Sequence, residues 1–301
     1  MSEDLTITNS AATPLANVAR LQIDSKLKYE LDTVCDFVFQ IHASIAPDQA
    51  VLQEALTIEP FTPCRTYTEF SSGNRFLRLQ AQPGTLSIDY RALVERRFEA
   101  PDLAAPEVPV NEIPDDVMHF LLPTRFCESD KLAPAALELF GALPRGYSRV
   151  QAIADWVHAN IEYSIGTTIA TTTASDVFAQ RQGVCRDFAH LAVTFCRALN
   201  IPARLVCGYT WFADPPPDFR AIFEAYLGGR WVLFDQSRMA PVEHVVRVAT
   251  GPDAKDVAFA TIFGPARMVA MSPDVTLLGP VAGGRVEAGR VWPQRQPEPA
   301  L

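Results

Sequence analysis

The first third of the chain alternates between apolar and polar positions, as β-strands with one buried face do. The first run has apolar side chains at Leu21, Ile23, Leu27, Tyr29 and Leu31. Similar runs cover 34–41, 76–79 and 86–94, and turn-forming Gly, Pro and Asn residues separate them. We therefore predict a small antiparallel β domain over 20–100, preceded by a flexible lead-in over 1–19.

The segment 101–114 divides two regions of different pattern. It contains four prolines and no periodicity, so it is predicted to be a linker. Helical spacing of apolar residues then covers 130–143, 149–161, 174–181 and 184–199. Strand-like runs return over 203–212, 221–227, 230–235, 267–271 and 275–278. A helical block followed by antiparallel strands predicts an α+β second domain over 115–285, with a frayed tail over 286–301.

Composition and charge narrow the class of protein. The chain has 301 residues, of which 48% are hydrophobic and 20% charged, so it has enough apolar residues to form a folded core. Its formal net charge of −9 argues against nucleic acid or an anionic membrane surface as partners. No apolar run approaches the ~18 residues that a membrane span needs. The N-terminus is acidic and lacks the pattern of a signal peptide, so we expect a cytoplasmic protein.

The cysteines and histidines show no metal-binding pattern. Six cysteines stand at positions 35, 64, 127, 185, 196 and 207, with no CxxC pair, and the five histidines are scattered. We expect reduced thiols, most of them packed as small hydrophobic residues, and we expect no cofactor.

Cys185 departs from this interpretation. It follows Gly183-Val184 and falls in the first turn of the helix predicted over 184–199. Unpaired backbone N–H groups and the positive end of the helix dipole stabilise a thiolate at that place. Cys185 is therefore a candidate nucleophile, although a capped core cysteine would show the same local sequence.

Several motifs around Cys185 resemble one enzyme family. The motifs are Gly-Val-Cys-Arg-Asp-Phe-Ala-His-Leu over 183–191, Cys-Arg-Ala-Leu-Asn-Ile-Pro-Ala-Arg over 196–204, Leu-Pro-Thr-Arg-Phe-Cys-Glu-Ser-Asp over 122–130, Phe-Glu-Ala-Tyr-Leu-Gly-Gly-Arg-Trp over 223–231, Phe234-Asp235, and a tail over 253–264. Together with the β domain ahead of them, they resemble the bacterial transglutaminase-like cysteine enzymes. The resemblance covers roughly residues 20–270.

The resemblance implies a papain-like core with a Cys–His–Asp triad. In such a core a cysteine at a helix N-terminus attacks a carboxamide or peptide carbonyl, and an amine or water resolves the thioester. Cys185 matches the nucleophile, and Asp235 matches the carboxylate that orients the histidine. The family hairpin opens with Asp-Phe-His-Ala-Trp, whereas this chain reads Asp-Phe-Arg-Ala-Ile over 218–222. Arg220 therefore stands at the position of the family histidine.

This replacement changes the chemistry that the site can perform. Histidine transfers protons near neutral pH, whereas arginine, with a pKa above ~12, stays protonated. Arg220 could pair with the Cys185 thiolate or form a bidentate salt bridge with Asp235. His190 lies off the helix face of Cys185 and is not expected to replace the missing base. Further candidates for substrate binding or site support are Arg186, Asp187, His190, Tyr209 and Trp211.

For Arg186 and Asp187 the alternative is capping and ion pairing in the first helical turn, and for Trp211 it is packing against the sheet.

Three functions follow from the sequence. The first is a cysteine peptidase, amidase or transglutaminase with an altered Cys-Arg-Asp site, acting on a peptide or protein amide with an amine as an optional co-substrate. The second is a family member that binds a peptide or protein segment without turnover. The third is an acyltransferase that uses an activated thioester donor.

Overall fold

The computed structural model describes residues 17–210 and 219–278. In the first part of this range the strands are β1 (Asn17–Leu31), β2 (Cys35–Phe39), β3 (Gln49–Glu59), β4 (Cys64–Thr68), β5 (Arg75–Ala81) and β6 (Gly84–Phe98). The middle part contains α1 (Asp115–Met118), α2 (Ala133–Phe140), α3 (Tyr147–Asn160), β7 (Glu162–Tyr163), α4 (Ala174–Gln180), β8 (Gln182–Gly183) and α5 (Cys185–Ala198). The last part contains β9 (Ala203–Thr210), β10 (Phe219–Leu227), β11 (Arg230–Phe234), β12 (Val245–Gly251), α6 (Ala254–Val257), β13 (Ala260–Phe263) and β14 (Ala266–Leu277).

Two antiparallel sheets form the β region. Their strand orders are β14-β1-β6-β3 and β13-β2-β5-β4. The ring of Tyr29 on β1 lies 5.3 Å from Phe37 and 5.9 Å from Phe39 on β2, so aromatic side chains join the two sheets. The pattern did not predict β3 or β4, because their side chains are mostly exposed and therefore do not alternate between apolar and polar.

The last two strands return to the β region. β14 pairs along β1, with Leu27 opposite Met271, and β13 pairs with β2. The structure thus differs from the predicted division, which placed 260–277 in the second domain. The runs predicted at 267–271 and 275–278 form one strand. Pro273 interrupts their pattern, and an edge strand tolerates a proline because one side of it needs no partner.

The proline-rich segment 101–114 packs on the second region. The carbonyl of Ala105 accepts a hydrogen bond from the Tyr147 backbone at 2.9 Å, and the carbonyl of Pro106 accepts one from Gly228 at 2.8 Å. Gly146 has a φ of 101°, and a Cβ there would lie 2.6 Å from the Ala105 carbonyl oxygen. Glycine is therefore required where this segment crosses the start of α3.

The second region is α+β, as predicted. A third antiparallel sheet has the order β11-β10-β9-β12, and α5 packs against β9 and β10. Phe223 and Ala225 on β10 share the main core with α5, whereas Ile222 and Tyr226 belong to smaller clusters on the opposite face. Every residue of β10 is buried, and β12 is buried on both faces except at Arg247 and Thr250. This double burial explains why no alternating pattern predicted β12.

Within the described residues, no helix is both long and apolar enough to cross a membrane.

Candidate active site

Cys185 is the first residue of α5, and its side chain is half-buried. The chain enters the helix through Gly183, where an added Cβ would lie 2.8 Å from the Cβ of Asp187 and 3.1 Å from its Oδ2. A glycine thus leaves room for the Asp187 carboxylate beside the entry to the helix. The predicted place of Cys185 at a helix N-terminus agrees with the structure, and its role as nucleophile stays a prediction.

Asp187 and Arg186 hold the helix N-terminus in place. Asp187 Oδ2 accepts hydrogen bonds from the Val184 backbone at 3.0 Å and from the Thr168 hydroxyl at 2.6 Å. Its Oδ1 accepts from Arg186 Nε at 3.1 Å and Nη2 at 3.0 Å. Arg186 Nη2 also donates to the Ile169 carbonyl at 3.1 Å. Both side chains therefore cap the helix and secure the preceding loop, which is the local alternative considered for them above.

Asp235 follows β11, and backbone groups orient its carboxylate. Its Oδ1 accepts from the Ser237 backbone N–H at 2.9 Å and also from the Ser237 hydroxyl. Its Oδ2 accepts from the Ala240 backbone N–H at 3.3 Å. The side chain is 7% exposed, so these donors replace most of the water that would solvate the charge.

Arg220 lies beside this carboxylate, on β10. Its Nη2 lies 3.5 Å from Asp235 Oδ2 and donates a hydrogen bond to Ser237 Oγ. Only 3% of the side chain is exposed. A guanidinium ion thus pairs with Asp235 at the position where the sequence resemblance places a histidine. The 3.5 Å contact is longer than a charge-assisted hydrogen bond of ~2.7–2.9 Å.

Gln236 joins the carboxylate end of the site to the nucleophile helix. Its Nε2 donates to the backbone carbonyl of Cys185 at 3.3 Å and to that of Ala221 at 3.2 Å. The residue is fully buried. One amide therefore ties the first residue of α5 to the residue that follows Arg220, and it does so from the position next to Asp235.

A cavity of about 470 Å³ opens on the Asp235 side of this arrangement. Tyr147 and Gln151 of α3, Leu233 of β11 and Arg238 contribute to its walls together with Asp235. Arg238 adopts a φ of 53° and lies 2.5 Å from Asp155, through Nη2 and Oδ1. The volume lies within the ~300–1,000 Å³ typical of ligand pockets.

His190 is fully buried, and burial disfavours its charged form. Its Nε2 accepts a hydrogen bond from the Ala254 backbone at 3.1 Å, and its ring stacks on Phe126 at 5.2 Å. Burial, with the nearby charges of Arg186 and Arg197, lowers the pKa of His190 to about 3. This side chain holds α5 to the start of α6.

Tyr209 and Trp211 were the remaining candidates. The hydroxyl of Tyr209 donates to the Ile41 carbonyl at 2.7 Å, and its ring contacts Tyr90 and Phe219. Tyr209 therefore joins the third sheet to the β region and is fully buried there. Trp211 lies outside the described residues.

The sequence reasoning missed three side chains of the site, Ser237, Gln236 and Thr168. Ser237 stands two residues after a carboxylate, a spacing that often forms a local hydrogen bond, so a signal existed. Gln236 and Thr168 reach partners 51 and 19 residues away. No local pattern predicts such contacts.

Three of the other cysteines lie in environments unlike that of Cys185. Burial raises the pKa of the Cys127 thiol to about 11 and raises that of Cys196 further. Cys64 is exposed on β4, in the β region. In the described part of the chain, no group of three or more His, Cys, Asp or Glu side chains is placed to hold a metal ion.

Comparison with known families finds two matches in succession along the chain. Residues 19–116 match the family described as "Bacterial transglutaminase, N-terminal domain". Residues 135–236 match the family described as "Transglutaminase-like superfamily". The second match includes Cys185, Arg220 and Asp235.

A solved structure resembles the whole of the described fold. A protein from Cytophaga hutchinsonii, described as a "Putative Cysteine Protease", is 40% identical, with a TM-score of 0.85 over 88% of this chain and 92% of that one. An uncharacterised protein of Mycobacterium leprae is 33% identical over 119 residues, which are 36% of this chain and 42% of that protein. An uncharacterised protein of Mycobacterium tuberculosis is 38% identical over 65 residues, 22% of this chain and 20% of the relative. This chain thus spans less than half the length of these two mycobacterial relatives.

Proposed function

Because this chain belongs to the transglutaminase-like superfamily, we propose that Cys185 accepts an acyl group as a thioester and passes it to an amine or to water. One observation carries the proposal: Gln236 ties the backbone of Cys185 to the strand that bears Arg220, directly beside Asp235. The start of α5 is thus linked to β10, whose Arg220 pairs with Asp235 just after β11.

The proposed reaction has two stages. In the first, the Cys185 thiolate attacks the carbonyl carbon of a carboxamide or peptide amide, a C–S bond forms, and the C–N bond breaks. The nitrogen leaves as an amine after gaining a proton. In the second, an amine or water attacks the thioester carbonyl and loses a proton, and the thiolate is released.

Arg220 affects the first stage most. A histidine would give the leaving nitrogen its proton, but a guanidinium with a pKa above ~12 does not release one at a useful rate. That proton must come from water or from the substrate. A thioester donor avoids this requirement, because its leaving group departs as a thiolate. Arg220 therefore favours a second candidate, acyl transfer from a thioester or another activated donor.

The charge of Arg220 also supports a role without turnover. A guanidinium paired with Asp235 can donate a hydrogen bond to a peptide carbonyl while Cys185 stays unreactive. This third candidate, a peptide-binding protein, makes a prediction opposite to that of the first two for the reactivity of Cys185.

The rate of alkylation of Cys185 by iodoacetamide, measured against pH, separates these candidates. We expect a midpoint below the ~8.5 of an ordinary thiol, since the helix N-terminus favours the thiolate. Mass spectrometry of the modified peptide gives the rate. Exposed Cys64 serves as the internal reference in the same sample, and Cys185→Ala shows the background. A midpoint at or above that of Cys64, or no labelling of Cys185, would contradict the enzymatic proposals.

Arg220→His tests the role of the missing base. We expect it to raise turnover of a simple carboxamide by about 10²-fold or more, the usual contribution of a positioned acid–base group, and to change thioester turnover much less. The comparison uses one acyl group presented as its carboxamide and as its thioester. Arg220→Gln, which removes the charge without adding a base, is the matched control. Equal gains with His and Gln would show that proton transfer is not the missing step.

A further inference from the structure

A second cavity of about 880 Å³ lies between the β region and the third sheet. It is separate from the candidate active site, because none of Cys185, Arg220 and Asp235 lines it. We call it the interdomain cleft, lined by Asp48 and Arg96 of the β region and by Arg204, Glu224, Trp231 and Arg247 of the second region.

Glu224 shows what the cleft can bind. This fully buried carboxylate lies between two guanidinium groups. Its Oε2 accepts from Arg204 Nε at 2.8 Å, and its Oε1 contacts Arg247 Nη1. Burial alone would raise the pKa of Glu224, but Arg247 and Arg204 hold it below its ordinary value. The wall of the cleft thus already stabilises one carboxylate between two arginines.

The charges of this network do not balance. Arg96 Nη1 donates to Asp48 Oδ2 at 3.0 Å, and Arg247 Nη2 lies 3.7 Å from the same oxygen. Three guanidinium groups, those of Arg96, Arg204 and Arg247, therefore face two carboxylates. Arg97 and Arg230 also line the cleft, and each lies within salt-bridge distance of an acidic side chain, Glu95 and Glu99 respectively, although Glu95 also pairs with Arg20.

Two of the three arginines also have unused donors. The Nε atoms of Arg96 and Arg247 are buried and have no hydrogen-bond partner in the described residues. The side chain of Arg96 is only 3% exposed, and burial lowers its pKa to about 10 although Asp48 opposes the shift. A buried cation with unsatisfied donors is costly unless an anion is supplied.

From these contacts we infer that the interdomain cleft binds the carboxylate of a small organic monoanion. Arg204 and Arg247, which already hold Glu224, would hold it with the N–H groups that point into the cleft. Arg204 and Arg247 keep 20% and 12% of their side chains exposed, so their terminal N–H groups can be reached from the cleft. The indole of Trp231, over which the Arg204 guanidinium lies at 4.1 Å, offers an apolar wall for the rest of the ligand.

The charge distribution selects a monoanion over a dianion. Among Arg96, Arg204, Arg247, Glu224 and Asp48 the excess is one positive charge, which is the most that this network offers an anion. Glu243 also lines the cleft, and in the described residues no arginine lies within salt-bridge distance of it. Its negative charge disfavours a phosphate group more than a carboxylate. The inference concerns a site apart from Cys185 and does not depend on acyl transfer there.

Titration with benzoate tests the inference, with benzamide as the uncharged probe of the same shape and phenyl phosphate as the dianion. The readout is the ¹H–¹⁵N signal of the Trp231 indole, assigned with Trp231→Phe, in a buffer without carboxylates. We expect benzoate to shift this signal at millimolar concentration, and benzamide and phenyl phosphate to shift it much less. An equal response to benzamide would overturn a carboxylate site, and a stronger response to phenyl phosphate would overturn the preference for a monoanion.

Three variants should change the affinity for benzoate in different directions. Arg204→Gln removes a charged donor and is expected to weaken benzoate binding roughly tenfold. Asp48→Asn, at a side chain that is 40% exposed, removes a negative charge and is expected to tighten binding several-fold. Arg91→Gln, on β6 and paired with Asp24 outside the cleft, should leave it unchanged. Because general loosening of the fold would weaken binding in both cleft variants, weaker binding in Asp48→Asn would overturn the inference.

Discussion

Arg220 and Asp235 are buried side by side, with 3% and 7% of their side chains exposed. Removing one partner of such a pair leaves the other charge without compensation and costs about 3–5 kcal/mol. Substitutions at Arg220 therefore change stability as well as chemistry. For this reason the activity of Arg220→His is best compared with that of Arg220→Gln at a temperature where both variants are folded.

His190 makes the stability of the protein depend on pH. Its pKa is about 3 in the folded chain and ~6.5 in the unfolded chain, so between these values only the unfolded chain binds the proton. The stabilisation is thus complete above pH ~6.5 and falls as pH drops toward 3, by up to about 1.4 kcal/mol per pH unit. We expect urea unfolding at pH 7.5, 6 and 5 to show this slope, and His190→Asn to reduce it.

The matched control for His190 is His158, which is exposed on α3. His158→Gln should leave the pH slope unchanged. Part of the slope should remain in His190→Asn, because burial and the neighbouring Arg75 lower the pKa of His42 to about 4. An identical slope in the wild type and in His190→Asn would contradict the buried neutral state of His190.

Asp187 caps the N-terminus of α5, and the stability lost on its removal can be predicted. Asp187→Ala deprives the Val184 backbone and the partly buried Thr168 hydroxyl of their acceptor, so we expect a loss of about 2–3 kcal/mol. Asp176 is the corresponding N3 residue of α4, where its capping hydrogen bond is exposed to solvent. Asp176→Ala should therefore cost only about 1 kcal/mol. Urea denaturation of both variants tests the difference. Equal losses would mean that burial of the Asp187 carboxylate adds nothing.

At the level of elements, the sequence predicts those with one buried face and those with clear ends, such as the fully buried β10, which ends at a Gly-Gly turn. The helix α5 was expected over 184–199 and is observed over Cys185–Ala198, and β10 and β11 are joined at Gly228-Gly229 as expected. The strands β3 and β4 were missed because most of their side chains face solvent, and β12 because both of its faces are covered. Binary patterning carries information only where burial alternates.

The two regions of the molecule are joined by specific hydrogen bonds. Tyr209 donates its hydroxyl proton to the Ile41 carbonyl, and Gln49 exchanges hydrogen bonds with the backbone of Arg247 at 2.8 and 2.9 Å. Asn74 does the same with Thr250, at 2.9 Å in each direction. The β region and the third sheet therefore share a polar interface, and its residues Asn74, Arg247 and Thr250 also line the interdomain cleft.

Tyr209→Phe tests this interface. The substitution keeps the ring and leaves the buried Ile41 carbonyl without its donor, so we expect a loss of about 1–2 kcal/mol in unfolding free energy. The alkylation profile of Cys185 should not change, since the hydrogen bond of Tyr209 goes to Ile41 and its ring contacts are Tyr90 and Phe219. Tyr67→Phe, at an exposed tyrosine of β4, is the control and should be neutral. A changed Cys185 profile in Tyr209→Phe would return Tyr209 to the active site.

The sequence by itself determines the candidate site residues and the order of helices and strands. The cysteine at a helix N-terminus, the arginine at the family histidine position, the carboxylate after β11 and the α+β order of elements all depend on short-range pattern or on motif, and so they could be predicted. The tertiary structure alone decides the partners of Gln236, the closure of the β region by β13 and β14, and the arginine network of the interdomain cleft. These features join residues far apart in the chain, where loop closure and packing, rather than local preference, select the contacts.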